Sequence, residues 1–296
     1  MTETPPGTRI GGSTRVVGII GWPVSGSLSP VIHNAAFSAL GLDWAYVPMP
    51  VPPASVAPAI EGLRSLGFAG ANVTMPHKTE VARILASLTE DATLLDAVNT
   101  IVVGPEGPTG HNTDAPGFDR FLRRDAGFEP EGRAALLFGG GGAARACALA
   151  LARGGLAELT VALRDPARDA GVRATLEGTT TTLSIVGFED ARTVHADLVV
   201  NATPIGAQGE SLPVPALRAD AVVVDLLYRP AGTPLQALAR SAGAAAFGGL
   251  GLLLQQAALS FELWTGQVPP LDVMSAAAVA ALAEGGPKTE DGDRTT

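Results

Sequence analysis

Lys78 closes the run Gly70-Ala71-Asn72-Val73-Thr74-Met75-Pro76-His77-Lys78, in which a short apolar stretch turns polar at Asn72 and Thr74. Pro76 has no N–H to give to a sheet, so strand pairing ends there and Lys78 falls at the start of a helix. A helix N-terminus carries partial positive charge and disfavours a cation by roughly 0.3–1 kcal/mol. Helix formation therefore does not account for the lysine. An ammonium at a strand end can hand a proton to an oxygen that is gaining negative charge, which is general acid chemistry. Taken alone, a lysine in the same place reads more simply as a solvated surface charge. The other polar residues of the chain decide between the two.

A second chemistry stands further on. The apolar run at residues 134–138 leads directly into Gly139-Gly140-Gly141-Gly142-Ala143-Ala144-Arg145 and an apolar helical stretch. Strand, G-x-G-x-x-A and helix in that order form a dinucleotide site, because the glycines let the backbone approach a pyrophosphate seated on the helix N-terminus. A tight turn alone is the competing reading. The next strand, residues 159–163, ends in Arg164-Asp165-Pro166-Ala167-Arg168. An acid at this place binds the ribose hydroxyls of NAD, and an arginine binds the 2′-phosphate of NADP. Arg164 comes first and Arg168 follows one turn on, which favours NADP, although Arg168 also reads as an ordinary exposed charge.

Ser27 and Ser29 precede Pro30 and a helical stretch that stops at Gly41. Ser29 reads as an N-cap with Pro30 at the first helical position. The two hydroxyls and the free N–H groups also read as a carboxylate or anion site. Asn99 breaks an apolar run, and a buried amide left unpaired costs about 1–3 kcal/mol, so it ties down a loop or meets a ligand. Asp114, after Gly110-His111-Asn112-Thr113, is the expected N-cap of another helix. Two later strands, residues 197–201 and 221–225, end in Ala202-Thr203-Pro204 and Leu226-Leu227-Tyr228. Ligands of parallel sheets sit beyond the carboxyl ends of the strands, which turns Thr203, Leu226 and Tyr228 towards the cofactor side. Gln255 and Gln256 interrupt an apolar helix that follows Gly248-Gly249-Leu250-Gly251. Adjacent helical positions point about 100° apart, so one can face solvent and the other a cleft.

The elements that must hold these groups alternate. Strands are expected at 15–21, 43–51, 70–74 and 97–103, with helices at 30–40, 54–66, 77–87 and 115–126. The pattern restarts at Arg133 with strands at 134–138, 159–163, 197–201 and 221–225, a helix at 233–240, a long helix up to Gly266 and a last one at 273–283. A chain of 296 residues that is 46% hydrophobic, with 36 Gly and 23 Pro, can build two cores joined by many turns. A formal net charge of −9 argues against nucleic acid, whose binding is dominated by Lys and Arg contacts to phosphate. The single cysteine, Cys147, excludes an intramolecular disulfide and fits a reducing cytoplasm. No membrane span, signal peptide or metal site is expected. Residues 1–13 read as a loose arm and residues 285–296 as a disordered tail.

Taken in order, GWPVSGSLSPVIHN, GANVTMPHK, AVNT, GHNTD, GGGGAAR, NATPIG, DLLYRPAGTPL and GLGLLLQQA resemble the shikimate dehydrogenases from about Arg15 to Glu284. That ordered set is far more specific than any one of its members. The resemblance implies an α/β fold of two domains. One is an N-terminal α/β substrate domain with a mainly parallel sheet, residues 1–113 plus 249–284. The other is a Rossmann-type NADP-binding domain, residues 114–248. It implies Lys78 and Asp114 as the catalytic pair, Ser27, Ser29 and Tyr228 around the substrate carboxylate, and Asn72, Thr74, Asn99 and Gln256 on the ring hydroxyls. It also implies Gly139, Gly140, Gly141, Gly142 and Ala143 as the pyrophosphate loop, with Leu226 and Gly249 lining the nicotinamide.

The activity so implied is reversible reduction of 3-dehydroshikimate to shikimate by NADPH, on the route to chorismate and the aromatic amino acids. The partners are small molecules, and the protein is a monomer or a homodimer. The chain departs from the family pattern at Leu163, where an asparagine is usual, at Ala115 after the NTD, and at Gly248 and Leu252. None of these removes a catalytic group. A paralogue acting on quinate or aminoshikimate with NAD or NADP is the nearest alternative. A non-catalytic sensor is a more distant one, because Lys78 and Asp114 are both kept.

Overall fold

The computed structural model describes residues 10–229 and 231–284. Most of the expected arm, residues 1–9, and the whole of the expected tail, residues 285–296, lie outside the described residues. The chain divides into two compact units. One takes the described residues up to Thr113 and from Ala257 onwards, and the other is Asp114–Gln256.

The first unit is built on a six-stranded sheet in the order β2-β1-β3-β5-β6-β4. Its strands are β1 (Arg15–Gly21), β2 (Trp44–Pro50), β3 (Gly70–Val73), β4 (Ser87–Leu88), β5 (Thr100–Gly104) and β6 (Gly107–His111). β1 runs parallel to both β2 and β3, and β4 runs parallel to β6. β3–β5 and β5–β6 are antiparallel. β1 and β3 are central and buried, which suits their apolar sequences RVVGIIG and GANV. Ile20, Val73 and Ile101 form a core with Ile60 and Leu63 of α2 (Val56–Ser65) and Val81 of α3 (Lys78–Ile84). A short helix, α4 (Glu90–Leu94), contributes Ala92 to the same core. On the other side α1 (Ser29–Ala39) stacks Phe37 on Phe261, ring centroids 5.0 Å apart.

The second unit holds a six-stranded sheet in the order β12-β11-β10-β7-β8-β9, parallel throughout. It opens with α5 (Asp114–Arg124), followed by β7 (Ala134–Phe138), α6 (Gly142–Arg153) and β8 (Glu158–Leu163). Then come α7 (Ala170–Thr175), β9 (Thr182–Gly187), β10 (Leu198–Asn201), β11 (Val222–Asp225), α8 (Pro234–Ser241) and β12 (Ala245–Gly248). The chain winds outward from β7 in one direction and from β10 in the other. The strand order therefore reverses between β7 and β10, where an open parallel sheet opens a ligand crevice. α9 (Leu250–Thr265) runs from the second unit into the first, and α10 (Leu271–Ala283) packs on α1.

Three local expectations are corrected. The helix after Pro76 stops at Ile84, not at residue 87, because Leu85 turns extended and the chain joins the sheet edge as β4. α1 begins at Ser29 itself, with Leu28 in the cap position and no side-chain cap bond. Ser29 is thus not the N-cap. Its N–H is taken by Ser27 Oγ at 3.2 Å, which leaves the Ser29 hydroxyl for other partners. Neither of the paired glutamines faces open solvent: Gln255 is buried and donates to Asp125 Oδ2 at 3.0 Å, and Gln256 is half-buried.

Candidate active site

In the first unit the polar groups gather at the carboxyl ends of β1 and β3. Thr74 N donates to Ile20 O at 2.8 Å and Trp22 N donates to Met75 O at 3.1 Å, so the loops leaving the two strands are laced together. Both are followed by cis prolyl bonds, Trp22–Pro23 and Met75–Pro76. His77 is fully buried, with Nε2 2.7 Å from Val51 O just beyond β2. Lys78 is therefore the first residue of a helix whose preceding residue is anchored to the sheet. Its carbonyl accepts from Val98 N at 2.9 Å. Lys78 and Thr74 are half-buried, as suits groups that meet a solute.

Next to Val98, Asn99 is 3% exposed and held from several sides. Its Oδ1 accepts from Thr113 N at 2.8 Å and Thr100 Oγ1 at 3.0 Å, and its Nδ2 donates to Thr113 Oγ1 at 2.9 Å. Asn112 Nδ2 donates to Ala97 O at 2.9 Å. The segment that delivers Asp114 is thus tied, up to Thr113, to Asn99 and the turn that leads into β5. Asp114 itself opens α5 and is half-buried.

Asn72 differs from Thr74 although both stand in the same run. It is 6% exposed and its amide points into the protein. Oδ1 accepts the Tyr46 hydroxyl hydrogen at 2.7 Å. Nδ2 lies 3.1 Å from Asn99 O, 3.0 Å from Thr100 Oγ1 and 3.1 Å from Ser260 Oγ. Burial pushes the Tyr46 phenol well above the ordinary range. Sequence reasoning misses Tyr46, since a tyrosine in a strand of apolar residues reads as packing.

In the second unit the glycine run follows β7 at the switch point. Gly139 has φ +111, and a Cβ there would fall 3.1 Å from Ala202 O and 3.2 Å from Thr203 Cγ2. A Cβ on Gly140 would fall 2.9 Å from Leu163 Cδ2. Gly139 is required by its positive φ and the Ala202 backbone beside it, whereas at Gly140 the neighbour is the end of a leucine side chain that can give way. Gly141 and Gly142 face open space at the start of α6, with Ala143 exposed beside them, so a phosphate can approach free N–H groups there. At the end of β8, Arg164 and Arg168 are both exposed. Asp165 is turned into its own loop, where its Oδ1 accepts from Ala167 N at 3.1 Å. The acid beside Arg164 is thus occupied locally, and the donor set fits a 2′-phosphorylated dinucleotide.

Two groups without a role in the sequence reading hold the loops that leave β10 and β11. Asn201 ends β10 and Asp225 ends β11, both fully buried. Asn201 Oδ1 accepts from Thr203 N at 2.9 Å and Thr203 Oγ1 at 2.7 Å, and its Nδ2 donates to Asp225 Oδ1 at 3.0 Å. Asp225 also accepts from Leu227 N at 3.1 Å and Thr233 Oγ1 at 2.7 Å. Burial raises its carboxyl above the usual range, against these three donors. The signal that could find them is a polar residue closing an apolar strand. Gly249 packs its Cα against Leu226 with no room for a Cβ, and its N–H donates to Leu227 O at 3.1 Å. Tyr228 is 39% exposed on the same loop.

Comparison with known proteins agrees with this arrangement. Residues 19–101 match the family profile described as shikimate dehydrogenase substrate binding domain. Residues 249–279 match that of the shikimate 5′-dehydrogenase C-terminal domain. A shikimate dehydrogenase (NADP(+)) of Citrifermentans bemidjiense is 45% identical over 284 residues, spanning 92% of this chain and 97% of the relative. The crystal structure of a shikimate 5-dehydrogenase from Thermus thermophilus, in complex with NADP(H) and shikimate, superposes with TM-score 0.81 at 36% identity. It covers 91% of this chain and 100% of that one. A quinate dehydrogenase from Corynebacterium glutamicum in complex with NAD superposes with TM-score 0.83 at 31% identity, over 90% and 99% of the two chains.

Proposed function

The chain belongs to the shikimate dehydrogenase family, and from that membership we propose how its own residues carry the reaction. It is an NADP-dependent oxidoreductase acting on a CH–OH group, interconverting shikimate and 3-dehydroshikimate on the route to chorismate. When the carbonyl is reduced, its oxygen gains negative charge and needs a proton. Lys78 stabilises that charge and gives the proton, and in the oxidative direction it takes the proton of the hydroxyl. Asp114 binds a neighbouring ring hydroxyl. Thr74, Asn99 and Gln256 hold the ring hydroxyls, and Ser27, Ser29 and Tyr228 hold the carboxylate. NADP, held along Gly139–Ala143 with Arg164 and Arg168 at its 2′-phosphate and Thr203, Leu226 and Gly249 beside the nicotinamide, supplies the hydride acceptor when bound.

The observation that carries this reading is the gathering of Ser27, Ser29, Thr74 and Lys78 at the carboxyl ends of two adjacent parallel strands. The proposed substrate domain, 1–113 plus 249–284, falls mostly in the unit that carries them, and the proposed cofactor domain, 114–248, falls within the unit Asp114–Gln256. Among the described residues no helix is long and apolar enough to cross a membrane. We place the enzyme in the cytoplasm, in keeping with its free, buried Cys147 thiol, as a monomer or homodimer with small-molecule partners.

Initial rates with shikimate and with quinate, each with NADP and with NAD, test the assignment. Shikimate with NADP is expected to give the highest kcat/KM. A preference for quinate, or for NAD, overturns the corresponding half of it.

A further inference from the structure

β10 and β11 are parallel neighbours whose last residues, Asn201 and Asp225, stand opposite each other in register. Asn201 uses its whole amide at this sheet end. Its Oδ1 accepts from Thr203 N and Thr203 Oγ1, and its Nδ2 donates to Ile205 O at 2.9 Å and to Asp225 Oδ1. One side chain thus shapes the loop that leaves β10 and reaches across to β11. Asp225 does the same one strand over. It accepts from Leu227 N in the loop that leaves β11 and from Thr233 Oγ1, the cap of α8. The main chain adds a second link, Leu226 N to Asn201 O at 2.9 Å. The Thr203 hydroxyl gives its hydrogen to Asn201 and accepts from Ile205 N at 3.1 Å, so it has no hydrogen left for a cofactor.

We propose that Asn201 and Asp225 are positioning residues for hydride transfer. Through their mutual bond, the loop carrying Thr203 and the loop carrying Leu226 form one preset wall that fixes where the nicotinamide ring comes to rest. Both side chains are fully buried, so they act through the loops and not on the cofactor. Apolar residues in their place would leave the N–H groups of Thr203 and Leu227 without these acceptors, and the loops free to take other shapes. The geometric demand is steep, because a misplacement of about 1 Å can cost about 10²-fold in rate. The inference rests on the reading of Thr203 and Leu226 as residues beside the nicotinamide.

The test follows single-turnover oxidation of shikimate at saturating NADP, with and without deuterium at the carbon that is oxidised. Titration with adenosine 2′,5′-bisphosphate, which has the adenine and the 2′-phosphate but no nicotinamide, reports the other end of the cofactor site. Asn201→Ala is expected to slow the single turnover by about 10- to 100-fold and to express the full deuterium effect on kcat, as hydride transfer becomes limiting. Its affinity for the bisphosphate should stay at the wild-type value. Asp225→Asn should keep most of the rate. Its Oδ1 still accepts from Asn201 and Leu227, and its Nδ2 can donate to Thr233 Oγ1. A merely structural defect of this domain would weaken the bisphosphate and leave the deuterium effect where it is.

A loss of bisphosphate affinity that matches the loss of turnover, a silent Asn201→Ala, or an Asp225→Asn as slow as Asn201→Ala each overturn the proposal. Leu226→Ala separates it from the reading on which it rests. If that variant leaves the single-turnover rate unchanged, the placement of the nicotinamide beside these loops falls. If it slows the turnover while Asn201→Ala does not, only the positioning role falls. If Asn201→Ala does not fold, Thr233→Val decides: it keeps the side-chain shape, removes one hydrogen from Asp225 and should slow the turnover in the same selective way.

Discussion

Gly117 of α5 lies directly against the backbone of Gln256 on α9, so that a Cβ at position 117 would fall 2.8 Å from Gln256 Cβ and 2.9 Å from Gln256 N. A turn later the roles exchange: Gly251 of α9 faces the Phe121 ring of α5 with no room for a methyl group. The two helices cross at backbone distance because each offers a glycine to the other. Asp114 stands on the same helix, three residues before Gly117.

Gly117→Ala therefore tests more than helix propensity, which on its own would favour alanine by about 1 kcal/mol. The added methyl has only backbone to displace, and overpacking of this kind costs about 1–3 kcal/mol. The expected result is a fall in kcat/KM for shikimate of at least about tenfold, with the KM for NADP unchanged. Steady-state kinetics with the two ligands varied separately read it. An unchanged kcat/KM would show that the crossing can relax without moving either group.

Cofactor choice should reside in Arg164 and hardly in Asp165. The Asp165 carboxylate is engaged with Ala167 N–H, whereas Arg164 is exposed at the strand end. Loss of a charge-assisted bond to phosphate is worth about 1.5–3 kcal/mol, so Arg164→Ala should raise the KM for NADP by about 10-fold or more and leave that for NAD alone. Asp165→Ala should change the ratio little. An Arg164→Ala enzyme that loses NAD and NADP equally would mean that the guanidinium serves the adenine and not the 2′-phosphate.

His33 makes the first unit acid-sensitive. It is fully buried among Tyr46, Phe37, Phe261 and Trp264, and neither ring nitrogen has a hydrogen-bond partner among the described residues. Burial lowers its pKa from 6.5 to about 3. Between those values the unfolded chain binds a proton that the native one refuses. The unfolded state thus gains as pH falls, and native stability is complete above about pH 6.5 and lost below it, by up to about 1.4 kcal/mol per pH unit. Urea unfolding followed between pH 7 and pH 5 should show a falling midpoint in the wild type. His33→Leu should flatten that dependence, and an equally steep slope in this variant would place the acid sensitivity elsewhere.

What can be read from the chain alone follows from how local each feature is. The glycine loop after β7 and the lysine after Pro76 are legible because strand, breaker and helix start follow one another within a few residues. Ser29 reads wrongly as a cap because Ser-Pro is the ordinary signature of a helix start. The bond that overrides it, Ser29 N to Ser27 Oγ, depends on how the loop from β1 folds back. The inward turn of Asn72 is out of reach, since its partners Tyr46, Thr100 and Ser260 lie 26, 28 and 188 residues away. β9 and β12 escape for another reason. They are the edge strands of their sheet, and β12 reads AAFG, a sequence with little strand preference of its own.

The measurement that bears most directly on the central claim is the turnover of Lys78→Ala with shikimate and NADP, alongside its KM for shikimate. If Lys78 moves the hydroxyl proton, kcat falls by at least about 10²-fold, the lower end of general acid–base contributions, while KM stays close to the wild-type value. A kcat near that of the wild type would contradict the account, and Lys78 would be a solvated lysine at a helix start.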